Sequence, residues 1–386
     1  MTDESLLHNR NQILKSVNRL VIKVGSSVIT TNDRNGLLSD SIRSIVQQTV
    51  RLMKEGKEVV LVSSGAIAAG SKFLGLKTQP VSIPQKQAAA AVGQAKLIGL
   101  YESFFAKKGI HTAQILLTHS ELSNRGQFLN AQNTIFSLLQ YGIVPIINEN
   151  DSVAVDEIKF GDNDTLSAMV SSLTDTDLLI LLSDVEGLWT ADPKKNPNAE
   201  FIPFVETISS KVEEMAGPTS SGFSVGGMRT KIEAAKKASA AGIPMAIVSG
   251  HEEDSIIKLM ERENIGTFFF AKADRLSSRK HWIVHTLKPK GKIVVDDGAR
   301  DALVNQGKSL LASGLVSVTG RFDLGEAVIC EDLHRVEFAR GLIKYNSTDL
   351  RKIKGVKTGE IQKILGYKYS DEIIHRNDLI ITTHDS

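Results

Sequence analysis

Ile143-Val-Pro-Ile-Ile-Asn-Glu-Asn-Asp151, followed by Gly161-Asp-Asn-Asp164 and Leu178-Leu-Ile-Leu-Leu-Ser-Asp184, decides the fold. Two apolar runs of strand length each lead into polar groups, and between them Leu166, Met169, Val170 and Leu173 recur at helical spacing. A strand, a helix and an unbroken apolar strand describe a β-α-β unit in a sheet covered on both faces. In such a sheet the carboxyl ends of the strands open onto the ligand crevice, where these polar groups fall. Asn, Asp and Gly are also ordinary turn residues, so one cluster alone reads as turn chemistry. Two clusters in one unit point to a site. Pro145 removes a ladder donor and needs a place at an edge, a bulge or the strand's start.

Composition narrows the class. At 386 residues the chain has room for two domains with sizeable cores. Its 41% hydrophobic and 23% charged residues are those of a globular protein, and a formal net charge of +2 gives no general pull toward nucleic acid or membrane. Cys330 is the single cysteine, which excludes an intrachain disulfide framework and a thiolate metal site. The first residues are polar and mixed in charge, unlike a signal peptide, and no apolar run approaches membrane-spanning length, so a cytoplasmic location is expected.

Toward the N-terminus, residues 1–18 read as a polar leader, helical around Leu6 to Val17. A strand is expected over Arg19 to Val24, running into Gly25-Ser-Ser27, with Lys23 inside its apolar run. Lysine is seldom buried unpaired, so Lys23 either snorkels to an edge or turns its ammonium to an anion at the strand's end. A helix over Ser39 to Glu55 is followed by a strand from Glu58 to Ser64 and the small-residue turn Gly65-Ala-Ile-Ala-Ala-Gly70. Such a turn either lets backbone N–H groups approach an anion or serves close packing. An Ala-rich helix from Pro84 to Lys107, read as a core or subunit-packing helix, a strand from Thr112 to Leu117 and a helix from Asn130 to Tyr141 complete this half.

Toward the C-terminus, Ala191 to Pro197 reads as an extended loop. Ser220 to Lys231 is a glycine-interspersed loop opening a helix from Lys231 to Ala241, in which Arg229 and Lys231 could hold phosphates together with backbone N–H groups. Strands are expected at Pro244 to Val248 and Ile265 to Phe270, then a basic connection over 271–292. Beyond it, short segments such as Leu315 to Gly320 and Glu326 to Cys330, with Gly turns, suggest a small β-rich module. From residue 288 onward sixteen Lys and Arg face fourteen Asp and Glu, and the cluster Arg351, Lys352, Lys354, Lys357 reads as a solvated basic face. There is no G-x-x-x-x-G-K-[ST] P-loop, no strand-to-helix dinucleotide fingerprint and no protein-kinase catalytic loop, so any nucleotide is held in another way.

Taken together, Lys23-Val-Gly-Ser-Ser27, Val62-Ser-Ser-Gly-Ala-Ile-Ala-Ala-Gly70, Ile147-Asn-Glu-Asn-Asp151, Gly161-Asp-Asn-Asp164, Ser183-Asp-Val-Glu-Gly-Leu-Trp-Thr190 and Gly226-Gly-Met-Arg-Thr-Lys231 resemble the ordered motifs of the amino-acid kinase superfamily. Within it the resemblance is to the branch that phosphorylates the γ-carboxylate of L-glutamate in the first step of proline synthesis, including a PUA-like C-terminal segment. The resemblance implies an α/β domain over 19–272, with a mostly parallel sheet sandwiched by helices, a linker over 273–289 and a small β-rich PUA-like domain over 290–386. It further implies that Lys23 and Lys231 contact the ATP phosphates and the transferring phosphoryl group, with Asp164 organising both lysines and the amide of Gly25 adding a donor. Ser64, Asn148, Asp151 and Asn163 are implied for glutamate. Ser183, Asp184, Val225, Gly226, Gly227, Met228, Arg229 and Thr230 are implied for the nucleotide. Magnesium on the ATP phosphates, feedback inhibition by proline and a homo-oligomer belong to the same expectation. Serine stands at 27 and 183 where the family commonly has threonine.

The chemistry agrees with this residue set. A glutamate side chain with a pKa near ~4.3 is already an ionised nucleophile at neutral pH and needs no general base. The difficulty is charge on the transferring phosphoryl oxygens, which calls for lysines, magnesium and aligned N–H groups. Two alternatives stand beside this reading: a superfamily member acting on acetylglutamate, aspartate, carbamate or uridylate, and an RNA-binding protein working through the PUA-like module.

Overall fold

The computed structural model describes residues 2–31, 36–76, 78, 80–153, 163–193, 195–217, 227–272 and 289–382. It divides into two compact units, residues 1–123 with 131–273, and residues 124–130 with 274–386.

In the first unit the elements run α1 (Asp3–Ser16), β1 (Arg19–Val24), α2 (Ser26–Ile29), α3 (Ser39–Lys54), β2 (Glu58–Ser63), α4 (Ala66–Phe73), α5 (Ile83–Ala106), β3 (Thr112–Leu117), α6 (His119–Ser123), α7 (Arg125–Gln140, its residues up to 130 assigned to the second unit), β4 (Val144–Glu149) and α8 (Asn163–Leu173). They continue with β5 (Leu178–Ser183), β6 (Leu188–Trp189), β7 (Phe201–Ile202), β8 (Phe204–Val205), α9 (Ser210–Met215), α10 (Met228–Ala240), β9 (Met245–Ser249), α11 (Ser255–Met260) and β10 (Thr267–Phe269). Eight strands form one sheet in the order β3-β4-β2-β1-β5-β9-β10-β8. The six from β3 to β9 are parallel, while β10 pairs antiparallel with β9. The apolar runs of β1, β4 and β5 are buried along nearly their whole length, because helices cover both faces.

Strand alternation sorts the two faces. Leu20, Ile22 and Val24 of β1 join the core made with Ile42, Ile45 and Val46 of α3 and Leu97, Tyr101 and Phe105 of α5. Lys23, one residue out of phase, therefore turns to the opposite face, where α8 packs. Pro145 is the second residue of β4 and lies opposite Ala113, ahead of the first β4 residue paired with β2, so its missing N–H falls at the strand's start.

Two features depart from the sequence reading. Residues 1–18 read as a leader, yet Leu6, Leu14 and Val17 belong to the main core and Arg10 is buried with them, its guanidinium donating to the carbonyl of Glu263. That burial pushes the Arg10 pKa down. The turn at Gly65 serves helix-on-helix contact: a Cβ at Gly70 would sit 1.8 Å from the Ala89 carbonyl oxygen, and one at Gly93 1.7 Å from that of Ala66. The backbones of α4 and α5 meet there without room for a side chain.

The second unit contains β11 (Gly291–Val295), α12 (Asp297–Val304), β12 (Leu310–Leu311), β13 (Leu315–Gly320), β14 (Ala327–Glu331), β15 (Glu337–Leu342), α13 (Ser347–Ile353), α14 (Ile361–Leu365), β16 (Glu372–Ile374) and β17 (Leu379–Ile381). Its sheet has the order β13-β11-β14-β15-β17, with only β11 and β14 parallel. The three helices are additions to the β-rich module expected from sequence. Asp296 caps α12 and Asn346 caps α13, each accepting a backbone N–H from three residues on. The basic cluster of Arg351, Lys352, Lys354 and Lys357 is solvent-exposed. The connection over 273–288 lies outside the described residues.

Candidate functional site

The sheet's order reverses beside β1: β2 and β4 lie on one side of it, β5 and β9 on the other. A crevice for ligands opens at such a switch point, beyond the carboxyl ends of the strands. Lys23, Ser64, Asn148, Asp151, Ser183 and Asp184 all stand at or just past those ends, although they come from four strands far apart in the chain.

Asp164 is the centre. It has no exposed surface, and it sits in the first turn of α8, where the helix's positive end favours an anion. Lys23 Nζ lies 2.5 Å from its Oδ1, and Lys231 Nζ 3.1 Å from its Oδ2. Both lysines are buried. A buried carboxylate between two ammoniums compensates part of their charge while leaving a net positive centre, which suits an anionic ligand. The Thr230 hydroxyl adds a third donor, 2.8 Å from Asp164 Oδ2.

A second cluster lies alongside. Asn163, the residue before Asp164, donates from Nδ2 to Ser64 Oγ at 2.8 Å and to Asn148 Oδ1 at 2.9 Å. The backbone N–H of Glu149 donates to the same Asn148 oxygen. Asn163 Oδ1 is buried without a hydrogen-bond partner among the described residues, so this cluster holds one unsatisfied acceptor. Asp151 stands two residues past β4, half-buried.

At the end of β5, Ser183 is buried and its hydroxyl donates to Asp184 Oδ1 at 3.2 Å. Burial opposes ionisation of Asp184. Its own backbone N–H, the Ser183 hydroxyl, the charge of Lys231 and the Ser27 hydroxyl outweigh that and hold its pKa below the usual range. Ser27 was not singled out as a site residue from sequence, although it belongs to the Lys-Val-Gly-Ser-Ser run that carries Lys23.

Gly25 and Arg229 take other roles than their positions in the sequence suggest. The Gly25 N–H is bonded to the Leu182 carbonyl, and a Cβ there would meet that oxygen at 2.9 Å, so the position demands a bare backbone rather than a phosphate donor. Arg229 is exposed on α10 while Lys231 is buried. Residues two apart on a helix do not share a face, which separates the two cations expected to act together. Gly227 is the N-cap of α10, Met228 begins the helix, and Asp162, Val225 and Gly226 lie outside the described residues. Among the described residues no group of three or more His, Cys, Asp or Glu is placed to hold a metal ion, and no helix is long and apolar enough to cross a membrane.

Residues 18–249 match the amino acid kinase family model and residues 291–365 match the PUA domain. A glutamate 5-kinase of Geobacter sulfurreducens is 49% identical over 372 residues, covering 96% of this chain and 100% of that one. A glutamate 5-kinase of Trichlorobacter lovleyi is 48% identical over 375 residues, covering 97% and 100%. Among solved structures, the UMP kinase of Bacillus anthracis superposes with a TM-score of 0.47 at 15% identity, over 67% of this chain and 97% of that one. With a family model over 18–249 and relatives matched along their full length at 48–49% identity, the chain belongs to the amino acid kinase family and, within it, to the glutamate 5-kinases.

Proposed function

We propose that the chain transfers the γ-phosphoryl group of ATP to the γ-carboxylate of L-glutamate, forming γ-glutamyl phosphate and ADP. The observation that carries this reading is the buried Lys23–Asp164–Lys231 arrangement beside the Asn163–Ser64–Asn148 cluster. The names of the full-length relatives favour glutamate over the other acceptors of the superfamily and over an RNA-binding role.

Glutamate arrives with its side-chain carboxylate ionised, so no residue need remove a proton. One carboxylate oxygen attacks the γ-phosphorus, the bond from that phosphorus to the β–γ bridging oxygen breaks, and ADP leaves with the electron pair. Lys23 and Lys231 neutralise charge on the equatorial oxygens in flight, and Asp164 keeps the ammoniums in place. Ser64 and Asn148 hold Asn163, whose unsatisfied Oδ1, together with Asp151, accepts the α-ammonium of glutamate. Ser183, Asp184 and the start of α10 form the nucleotide side. Magnesium needs only one or two protein carboxylates when substrate phosphates supply the remaining oxygens. Asp184, whose side chain reaches solvent although its carboxyl is partly desolvated, is kept ionised and fits that ion, whereas both oxygens of Asp164 face lysines. When bound, the magnesium neutralises phosphate charge. Proline shares the α-ammonium and α-carboxylate of glutamate and competes for the same cluster. The reaction takes place in the cytoplasm, in a homo-oligomer.

The test is ATP- and magnesium-dependent formation of an acyl phosphate, trapped with hydroxylamine, with glutamate, N-acetylglutamate or aspartate as acceptor. Glutamate alone is expected to give hydroxamate, with proline suppressing it. Turnover of another acceptor in preference to glutamate overturns the proposal.

A further inference from the structure

Thr230 belongs by sequence to the segment expected to hold the nucleotide, yet its hydroxyl points away from that duty. It lies 2.8 Å from Asp164 Oδ2, the oxygen that also faces Lys231. It also lies 2.8 Å from the carbonyl of Gly227 and 3.2 Å from the Gly227 N–H, at the N-cap of α10. A hydroxyl has one proton and can accept as well as donate. When that proton goes to Asp164, the Gly227 N–H donates to Thr230 Oγ1, and a chain of two hydrogen bonds runs from the end of the glycine loop to the carboxylate. When it goes to the Gly227 carbonyl, Asp164 loses a donor. Adjacent residues on a helix point about 100° apart, so Thr230 and Lys231 reach one carboxylate oxygen only because Asp164 sits against the first turn of α10.

We propose that Thr230 is a positioning residue for phosphoryl transfer: its hydroxyl orients Asp164 between Lys23 and Lys231 and ties that orientation to the Gly227 backbone. This rests on the reading of the site as a glutamate-phosphorylating one. The oxygen shared by Thr230 and Lys231 gives the argument its force. Without the hydroxyl, Oδ2 loses one of the donors that fix the carboxylate about its χ2 angle, and the partner that holds the Lys231 ammonium toward the phosphates is less tightly oriented. The reaction itself uses no atom of Thr230. Its removal therefore weakens stabilisation of the transition state more than binding of either substrate.

The experiment compares wild type with Thr230→Val and Thr230→Ser by hydroxamate formation with glutamate, following kcat and both KM values. It is paired with ¹³C NMR titration of the Asp164 carboxyl in the resting protein. Thr230→Val is expected to lower kcat roughly 10–100-fold, by analogy with losing a partner that orients a metal-ligating side chain. The KM values should stay within about threefold, a split characteristic of lost transition-state stabilisation. Because a hydrogen bond to the charged form is lost, the Asp164 titration should move to higher pH. Thr230→Ser should restore both kcat and the titration. An unmoved Asp164 titration in Thr230→Val, or a loss confined to the KM for ATP, overturns the proposal and leaves Thr230 a nucleotide contact. The NMR titration needs no turnover, so it judges Thr230 even where the wild-type assay rejects glutamate as the acceptor.

Discussion

Lys23 Nζ lies 2.5 Å from Asp164 Oδ1, and Asp164 has no exposed surface. Lys23 occupies its place because strand alternation points it away from the α3 and α5 core, toward the first turn of α8. The ammonium is held by a carboxylate rather than by solvent, which in the proposed mechanism preorganises it for the phosphoryl group. Lys23→Ala is expected to lower kcat roughly 10²–10³-fold, the cost of losing one preorganised donor. The KM for glutamate should change little, since Ser64, Asn148 and Asn163 form a separate cluster. Steady-state kinetics of the purified variant checks this, and a near-normal kcat counts against the assigned role.

Asp164→Ala removes the partner of two buried ammoniums at once. Breaking a buried ion pair from one side costs about 3–5 kcal/mol, because the remaining charge is left uncompensated. The variant should unfold at clearly lower urea concentration than wild type and show no measurable turnover. The double variant Asp164→Ala with Lys23→Met should recover part of that stability while remaining inactive.

Asp151→Asn keeps the size of the side chain and removes the charge that the proposed mechanism offers to the α-ammonium of glutamate. Its expected effect is a rise in the glutamate KM of roughly tenfold or more, in line with a hydrogen bond to a charged group worth about 1.5–3 kcal/mol. The KM for ATP should stay near the wild-type value. An unchanged glutamate KM places Asp151 outside the amino-acid side.

At Gly93 a Cβ would sit 1.7 Å from the Ala66 carbonyl oxygen, with no flexible side chain to yield. Gly93→Ala must push α4 and α5 apart, and overpacking of this kind costs about 1–3 kcal/mol or more. Since α4 begins two residues after Ser64, the glutamate KM should rise together with the fall in melting temperature. Gly99→Ala lies on the same helix with open space around its Cβ, and it should leave both unchanged.

Cys330 is buried in the β11–β14–β15 core, and burial, aided by Glu337, pushes its thiol up to about 12. At neutral pH it should be inert to thiol reagents in the native protein and react fully in urea. A group whose folded pKa is raised contributes stability that is complete below its unfolded value, near ~8.5, and is lost as pH rises toward the folded one. Stability of the second unit should therefore fall between about pH 8.5 and 12. Cys330→Ala should flatten that slope in urea titrations followed by circular dichroism.

The sequence by itself determined the strands, the helices between them and the ends at which polar residues collect. Apolar run length, Gly and Asn turns and helical spacing are local properties, so β1, β3 and α8 fall where the pattern puts them, within a residue or two. The motif residues Lys23, Ser64, Asn148, Asn163, Asp164 and Lys231 were legible for the same reason. Which of them touch was decided only by tertiary structure. Asp164 looks like a first-turn acid of α8 and becomes the joint partner of β1 and α10, because a parallel sheet brings sequence-distant strand ends to one edge. Arg229 and Lys231 read as a pair until the helix turns them to different faces. The apolar positions of α1 are few and interrupted by the charge at Arg10, so its place in the core depends on the rest of the cluster that Leu6, Leu14 and Val17 join. Gly70 and Gly93 reveal their purpose only where two backbones meet, because a requirement for empty space leaves no periodic trace in the chain that must provide it.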